Sequence, residues 1–523
     1  MGNAINRAAD ASRAQAIILV VGFFVLISGT TFVAASGQGA GFLVAFAAVL
    51  GAYAVLRYPF LGVFAFLMTF LFTYPEPLRG SGNFTINNLL GVVLVPILLF
   101  GTLRDGIGWF WRTRPLVALL ATMVILLSSG VVYNRYVGDV EGRATIEERK
   151  GVSKELYGQR KAGGELLVRT RDPRIKIVTR YAFLLFFVFF VRTPRQIKVV
   201  IALLLSVLLL SYMNVSSEAG ELGWGKGRLR VVGDAGVALY AGSNPNKLAF
   251  YIMLCATFLW YARTRIASNW GRLLCMGAFA VCMVNLLMTG SRSGLLSEVV
   301  FFGIVMLEGK ITYRKLFGAA LAGMLLLVQV GYDVNVLELF LPRQTAERLG
   351  RLRGAGDILS EGQTVEGSFQ KRVRKLGETA GMITIAPLLG VGLENYETVS
   401  QIYDPAGVGG PPHNSYLWAA TEGGLVTLGL YLFCFYWMLK ELFGISRDYA
   451  GRFGPVDAFW MVNAVRTALL MFLFFSFFAD VWNHVYFYVI AGLGLSLIRV
   501  HLTYAETGHV PGTQIGPPGA APV

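Results

Sequence analysis

Apolar stretches of about 17–25 residues recur along the chain between short polar turns, each long enough to cross a hydrocarbon core of roughly 30 Å as a helix. They begin near residues 15, 40, 60, 86, 115, 175, 196, 245, 270, 294, 313, 414, 458 and 482, and those near 60 and 294 are short. The pattern predicts an all-α polytopic membrane protein with about 12–14 transmembrane helices. The first run, "AIILVVGFFVLISGTTFVAA", is longer than a usual signal-peptide core and is soon followed by another from Phe42, so it reads as an uncleaved span. Residues 1–505 make one transmembrane domain, and the Pro- and Gly-rich tail 506–523 reads as disordered.

Three hydrophilic segments interrupt this alternation: Asn134–Arg174, Asn214–Asn244 and the large loop 332–413. Within the last, "SFQKRVRKLGETAGMITIAPLLGVGLENY" (Ser368–Tyr396) predicts an amphipathic helix. Its apolar Leu376, Ala380, Met382, Ile383 and Ile385 mark the helix as partly buried, and Pro387 with the glycines of "LLGVG" ends it.

Charge orients the chain. The short loops expected inside carry Arg57, then Arg104, Arg112 and Arg114, and later Arg263, Arg265 and Arg272, and Lys440, Arg447 and Arg452; the opposite turns are poor in Lys and Arg. The bias places both termini in the cytoplasm and the large loop outside. The strongly basic 134–174 loop departs from it. Net charge is +15, but no compact basic domain exists to bind nucleic acid, so anionic lipids or an anionic lipid-linked substrate fit better. Cys255, Cys275, Cys282 and Cys434 sit in apolar stretches without metal-ligand spacing and read as core residues.

In this topology two separated elements bring polar groups to the outer face: "GSRSG" (Gly290–Gly294) and His413 at the start of a span. Together with "NPNKLAF" (Asn244–Phe250), "SFQKR", "PLLGVGLENY" and "PHNSYLWAATEGGLVTLGLYL", their order and spacing resemble the bacterial O-antigen ligase and O-antigen polymerase superfamily over about residues 240–500. The resemblance implies a glycosyltransferase of surface polysaccharide and lipopolysaccharide biosynthesis in the bacterial inner membrane. Such enzymes move an undecaprenyl-pyrophosphate-linked glycan to a hydroxyl of another glycan, of lipid A–core or of a protein at the periplasmic face. They use neither metal nor other cofactor. It also implies that His413 is the catalytic histidine, and that Arg292 and Arg372 match the family's arginines. Other polysaccharide-assembly proteins are candidate partners.

The residue chemistry agrees. Glycosyl transfer needs a base that titrates near neutrality, and imidazole does so at about 6.5. A pyrophosphate leaving group develops charge that guanidinium forks can meet in place of a metal. A fixed base and fixed cations favour attack opposite the leaving group, hence inversion.

Further residues carry two readings each. Arg180 lies inside a span, where charge is costly, and fits either substrate phosphate or an ion pair with a helix acid. Asn414 fits a helix cap better than an imidazole partner. Lys247, beside Asn246, could touch a lipid phosphate or anchor its helix. Asp480 and His484 are four apart, and structural pairing on one helical face is the simpler expectation. Glu422 falls nearly opposite His413 on an ideal helix and reads as a structural acid. Two rival functions remain open at this level: a transporter or flippase of lipid-linked glycan, and a non-catalytic membrane subunit of a polysaccharide assembly complex. No internal repeat of the kind transporters show is evident.

Overall fold

The computed structural model describes residues 50–51, 53–73, 86–105, 108–139, 173–222, 238–239, 245–289, 291–308, 367–393, 395–396, 399, 412–452, 459–482 and 484–507. The spans expected near 15, 40 and 313, most of the 134–174 loop, the first half of the large loop and all but the start of the 506–523 tail lie outside these residues.

The remaining apolar stretches are helices: α1 (Pro59–Leu71), α2 (Ile86–Asp105), α3 (Gly108–Arg112), α4 (Arg114–Asp139), α5 (Pro173–Phe190), α6 (Pro194–Leu222), α7 (Pro245–Ala262), α8 (Asn269–Met288), α9 (Arg292–Leu307), α10 (Gly367–Ile385), α11 (Ser415–Arg452), α12 (Phe459–Phe475) and α13 (Val485–Thr507). Among the described residues, Asn269–Leu286, Ser415–Asp448 and Val485–Glu506 are individually long and apolar enough to cross a membrane. Pro59–Thr69, Arg114–Ser129, Ile177–Phe190, Leu296–Leu307 and Phe459–Phe475 are shorter apolar helices. The protein is an all-α polytopic membrane protein. A two-residue antiparallel ladder, β1 (Phe72–Thr73) with β2 (Ala238–Leu239), is a small addition that hydropathy did not signal; Phe72 faces Leu239.

The chain divides into two units, residues 1–70 with 74–107, and residues 71–73 with 108–523. In the first, Gly62 lets α1 approach Leu94 of α2, whose Cδ2 would stand 2.7 Å from an added Cβ.

In the second, α7 is the central helix. Leu248 to Phe258 are all buried, because α6, α8, α9 and α12 pack around it. Tyr251 donates its hydroxyl to Leu204 O of α6 at 2.6 Å, satisfying the polar end of a buried ring. Phe250 packs its ring on Phe472 and Phe475 of α12 and on Tyr486 of α13 at 5.6, 5.0 and 5.9 Å. Helix α5 runs beside α13, where Arg499 Nη1 donates to Val188 O at 2.9 Å and Phe189 O at 3.1 Å. Helix α4 lies antiparallel along α11, with Ser129 near Glu422 and Arg114 near Trp437. The four cysteines are buried and unbridged, as expected of core residues.

Candidate functional site

The site starts from a backbone turn. His413 has φ 54° and is the non-glycine residue of positive φ among the described residues; histidine is one of the types that tolerates this region. The turn lets Asn414 become the cap of α11. Asn414 Oδ1 accepts from the N–H groups of Tyr416 and Leu417, each at 3.0 Å. The capping expectation holds, and Asn414→Ala is expected to destabilise the protein by about 1 kcal/mol, read as a lower melting temperature.

The next residue ties α11 to the segment after α12. Ser415 N–H donates to Ser476 O at 2.8 Å. Its hydroxyl donates to Ala479 O at 2.6 Å and accepts from Val481 N–H at 2.9 Å. Tyr416 adds a bond from its hydroxyl to Leu473 O at 2.6 Å. These four bonds fix the 473–481 segment against the start of α11.

Their consequence is a pair that sequence spacing did not reveal. His413 Nδ1 lies 2.8 Å from Asp480 Oδ2. Asp480 is expected from spacing to pair with His484, but α13 begins only at Val485, so the two do not share a helical face. The His484 ring packs 4.5 Å from Tyr486 in the buried start of α13. An ionised carboxylate only accepts, so Nδ1 carries the imidazole proton and Nε2 is the basic nitrogen. The His413 side chain is 52% exposed while Asp480 is 12% exposed, which leaves the imidazole accessible and the carboxylate beside it sheltered.

A second polar cluster joins two motifs at the same end of the bundle. Ser291 caps α9 by accepting from Gly294 N–H at 3.1 Å, and donates its hydroxyl to Asn246 Oδ1 in the first turn of α7 at 2.8 Å. Gly294 permits the approach: an added Cβ would meet Ala249 Cβ at 2.8 Å. Asn246 lies one turn before Phe250, whose ring meets Phe475, and Phe475 precedes the Ser476 carbonyl bound by Ser415. Lys247 is partly buried beside Asn246. Arg292 is the first residue of α9; only its backbone is described.

Helix α10 closes the site from the large loop. The helix is where the sequence places it and is partly buried, but its apolar residues do not all turn inward. Met382 is buried together with Glu378 and Thr379, whereas Leu376 and Ile385 are 52% and 66% exposed. The reason is the returning chain: Val391, Tyr396 and Val399 pack on Met382, with Ala386 and Trp418 alongside. The outer residues Leu376 and Ala380 form the kind of apolar stripe an interfacial helix turns toward lipid.

On the inner face Lys375 Nζ pairs with Glu378 Oε2 at 2.7 Å. Thr379 donates its hydroxyl to Lys375 O at 2.6 Å, so at its 3.0 Å contact with Tyr396 it must accept, and the tyrosine donates. Burial holds the Tyr396 hydroxyl well above its ordinary pKa, with Thr379 opposing and the charges of Glu378 and Asp480 adding, so it stays protonated. Arg372 is three residues before Lys375 on this helix, and only its backbone is described.

The turn after α10 interlocks with a break in α11. Gly424 has φ 74° and ψ 178° inside an otherwise helical run. Leu425 N–H leaves its helical acceptor and bonds Pro387 O at 2.7 Å; in exchange Val391 and Gly392 N–H groups take Thr421 O and Glu422 O at 2.8 and 3.0 Å. No broken helical bond is left unpaired among these groups. Gly390 and Gly424 are required here, since an added Cβ at Gly424 would sit 2.0 Å from Leu388 O and one at Gly390 2.5 Å from Thr421 O. Glu422 is buried in this interlock, in keeping with a structural acid.

Arg180 is buried in α5.

The class follows from this arrangement: a membrane-embedded helical bundle that presents a histidine–aspartate pair at one end, beside a capped serine–arginine turn and an amphipathic helix. Residues 277–432 match the family model described as O-antigen ligase. That segment contains Arg292, Arg372 and His413, and the match supports the resemblance to the O-antigen ligase and polymerase superfamily over this part of the chain; Asp480 and Asn246 lie outside it. None of the curated proteins matches the chain. The match supports a function of the O-antigen ligase or polymerase type.

Proposed function

We propose that the protein is an inverting, metal-independent glycosyltransferase that takes its donor glycan from undecaprenyl pyrophosphate at the periplasmic face of a bacterial inner membrane. The observation that carries this reading is the 2.8 Å contact between His413 Nδ1 and Asp480 Oδ2, which leaves Nε2 as the base. The acceptor hydroxyl attacks the anomeric carbon, its proton passes to His413 Nε2, and the carbon–oxygen bond to the pyrophosphate breaks. The electron pair leaves on the pyrophosphate, where Arg292 and Arg372 meet the added charge through paired N–H donors. Arg180 is assigned to the same anion from the α5 side, and Lys247 to its outer phosphate. Asn414 and His484 support the site by capping α11 and packing the start of α13.

Asp480 holds the imidazole in the productive tautomer and stabilises the imidazolium formed on proton transfer. Asp480→Asn is expected to lower the turnover rate by up to about 10⁴-fold, the loss that follows when an orienting aspartate of a catalytic histidine becomes asparagine, with little change in the apparent affinity for donor. A steady-state split of kcat from KM in reconstituted liposomes checks this.

Among the two forms of transfer, the long N-terminal half favours a polymerase, which adds the growing chain to another lipid-linked repeat. Reconstitution with purified undecaprenyl-pyrophosphate glycan tests the proposal by product size. A ladder of carrier-linked products is expected; a single addition to lipid A–core or protein would make it a ligase. Movement of the donor across the bilayer without a new glycosidic bond would replace the transferase reading by a flippase.

A further inference from the structure

The end of the bundle away from His413 carries a second arrangement that glycosyl transfer does not use. The Arg114 guanidinium lies 4.8 Å from the ring centroid of Trp437, and Lys440 Nζ lies 4.7 Å from the same centroid. Two cations thus share one indole. From His413 to Trp437 the chain advances at most roughly 36 Å at about 1.5 Å per residue. That upper bound is close to a bilayer's thickness, and the break at Gly424 shortens it toward the hydrocarbon core alone, so the two cations beside Trp437 mark the interfacial end of the span on the opposite face.

Neighbouring basic groups at that end finish on acceptors. Arg112 pairs with Glu506, Arg192 Nε donates to Phe189 O at 2.6 Å, and Arg272 Nε donates to Ile266 O at 2.6 Å. Arg114 and Lys440 have no such acceptor among the described residues. Both are exposed while Trp437 is half-buried, so the charges face outward from a fixed aromatic platform. A guanidinium fork and an ammonium flanking an indole at headgroup depth complement one phosphate diester.

We propose that Arg114, Trp437 and Lys440 bind the headgroup phosphate of an anionic phospholipid on the face opposite His413, setting the depth of α11 in the bilayer. Because α11 begins at Ser415, a lipid anchored near its far end also sets the level at which His413 meets the other surface. The site is independent of the transfer chemistry and is read without it.

Native mass spectrometry of the full chain released from detergent, with added phosphatidylglycerol or phosphatidylcholine, tests the assignment. The wild type is expected to retain phosphatidylglycerol in preference to phosphatidylcholine, and Arg114→Gln with Lys440→Gln to weaken that retention by about 10- to 30-fold. Phosphatidylcholine binding stays unchanged. In the wild type alone, raising the salt concentration before release is expected to strip phosphatidylglycerol selectively, which needs no variant to fold. Equal retention of phosphatidylglycerol by wild type and double variant, or salt-insensitive retention equal to that of phosphatidylcholine, would overturn the proposal.

Discussion

His413→Asn is expected to leave a folded protein whose glycan transfer is slower by about 10²–10⁴-fold, the usual contribution of a positioned general base. Asparagine is the informative replacement because it tolerates the φ of 54° found at this position. The turn into α11 then survives, with Asn414 capping and Ser415 holding the 473–481 segment, while the basic nitrogen is gone. His413→Ala would mix loss of the base with strain in the left-handed region. Transfer in liposomes, measured beside a melting curve, separates chemistry from folding. Wild-type turnover in the asparagine variant would remove His413 from the mechanism.

The second large effect is structural. Gly424→Ala is expected to cost more than about 3 kcal/mol and to reduce the yield of folded protein sharply, because strain and steric overlap act together there. The added Cβ would stand 2.0 Å from Leu388 O and 2.2 Å from Leu388 C, both backbone atoms that cannot move without undoing the bonds from Leu425 to Pro387 and from Val391 to Thr421. The internal control is Gly429→Ala on the same helix. Nothing lies within 4 Å of an added Cβ at Gly429, so that variant is expected to melt at or above the wild-type temperature. Thermal denaturation of the purified proteins in detergent distinguishes the two. A Gly424→Ala protein as stable as the wild type would mean that the α10 turn and the α11 break do not interlock.

Most helices among the described residues were legible in the sequence because an apolar run of spanning length has few other ways to satisfy its backbone. Hydropathy also marked the stretches near 60 and 294 as short, and α1 and α9 have 13 and 16 residues. What periodicity could not supply was the packing face of α10. Its apolar residues go round the helix, and only the return of Val391, Tyr396 and Val399 decides that Met382, Glu378 and Thr379 turn inward. The site divided the same way. His413 and the cap at Asn414 are local features, read from a loop meeting a helix. Asp480 is 67 residues from His413, and no spacing rule links them. The rule that did apply, four residues between Asp480 and His484, presumed a helix that in fact starts at Val485. A signal was present in Ser415, whose hydroxyl at the first turn has no helical need for a distant partner, yet the sequence does not say that Ala479 and Val481 supply one.

The central claim is that His413 and Asp480 act as one unit, and a double-mutant cycle on transfer tests it most directly. Rates would be measured for the wild type, His413→Asn, Asp480→Asn and the double variant, reconstituted with undecaprenyl-pyrophosphate glycan. If Asp480 acts by orienting the imidazole, the double variant transfers as slowly as His413→Asn alone, since the carboxylate has nothing left to orient. Full multiplication of the two single losses in the double variant would contradict the account, because Asp480 would then act on the reaction without passing through His413.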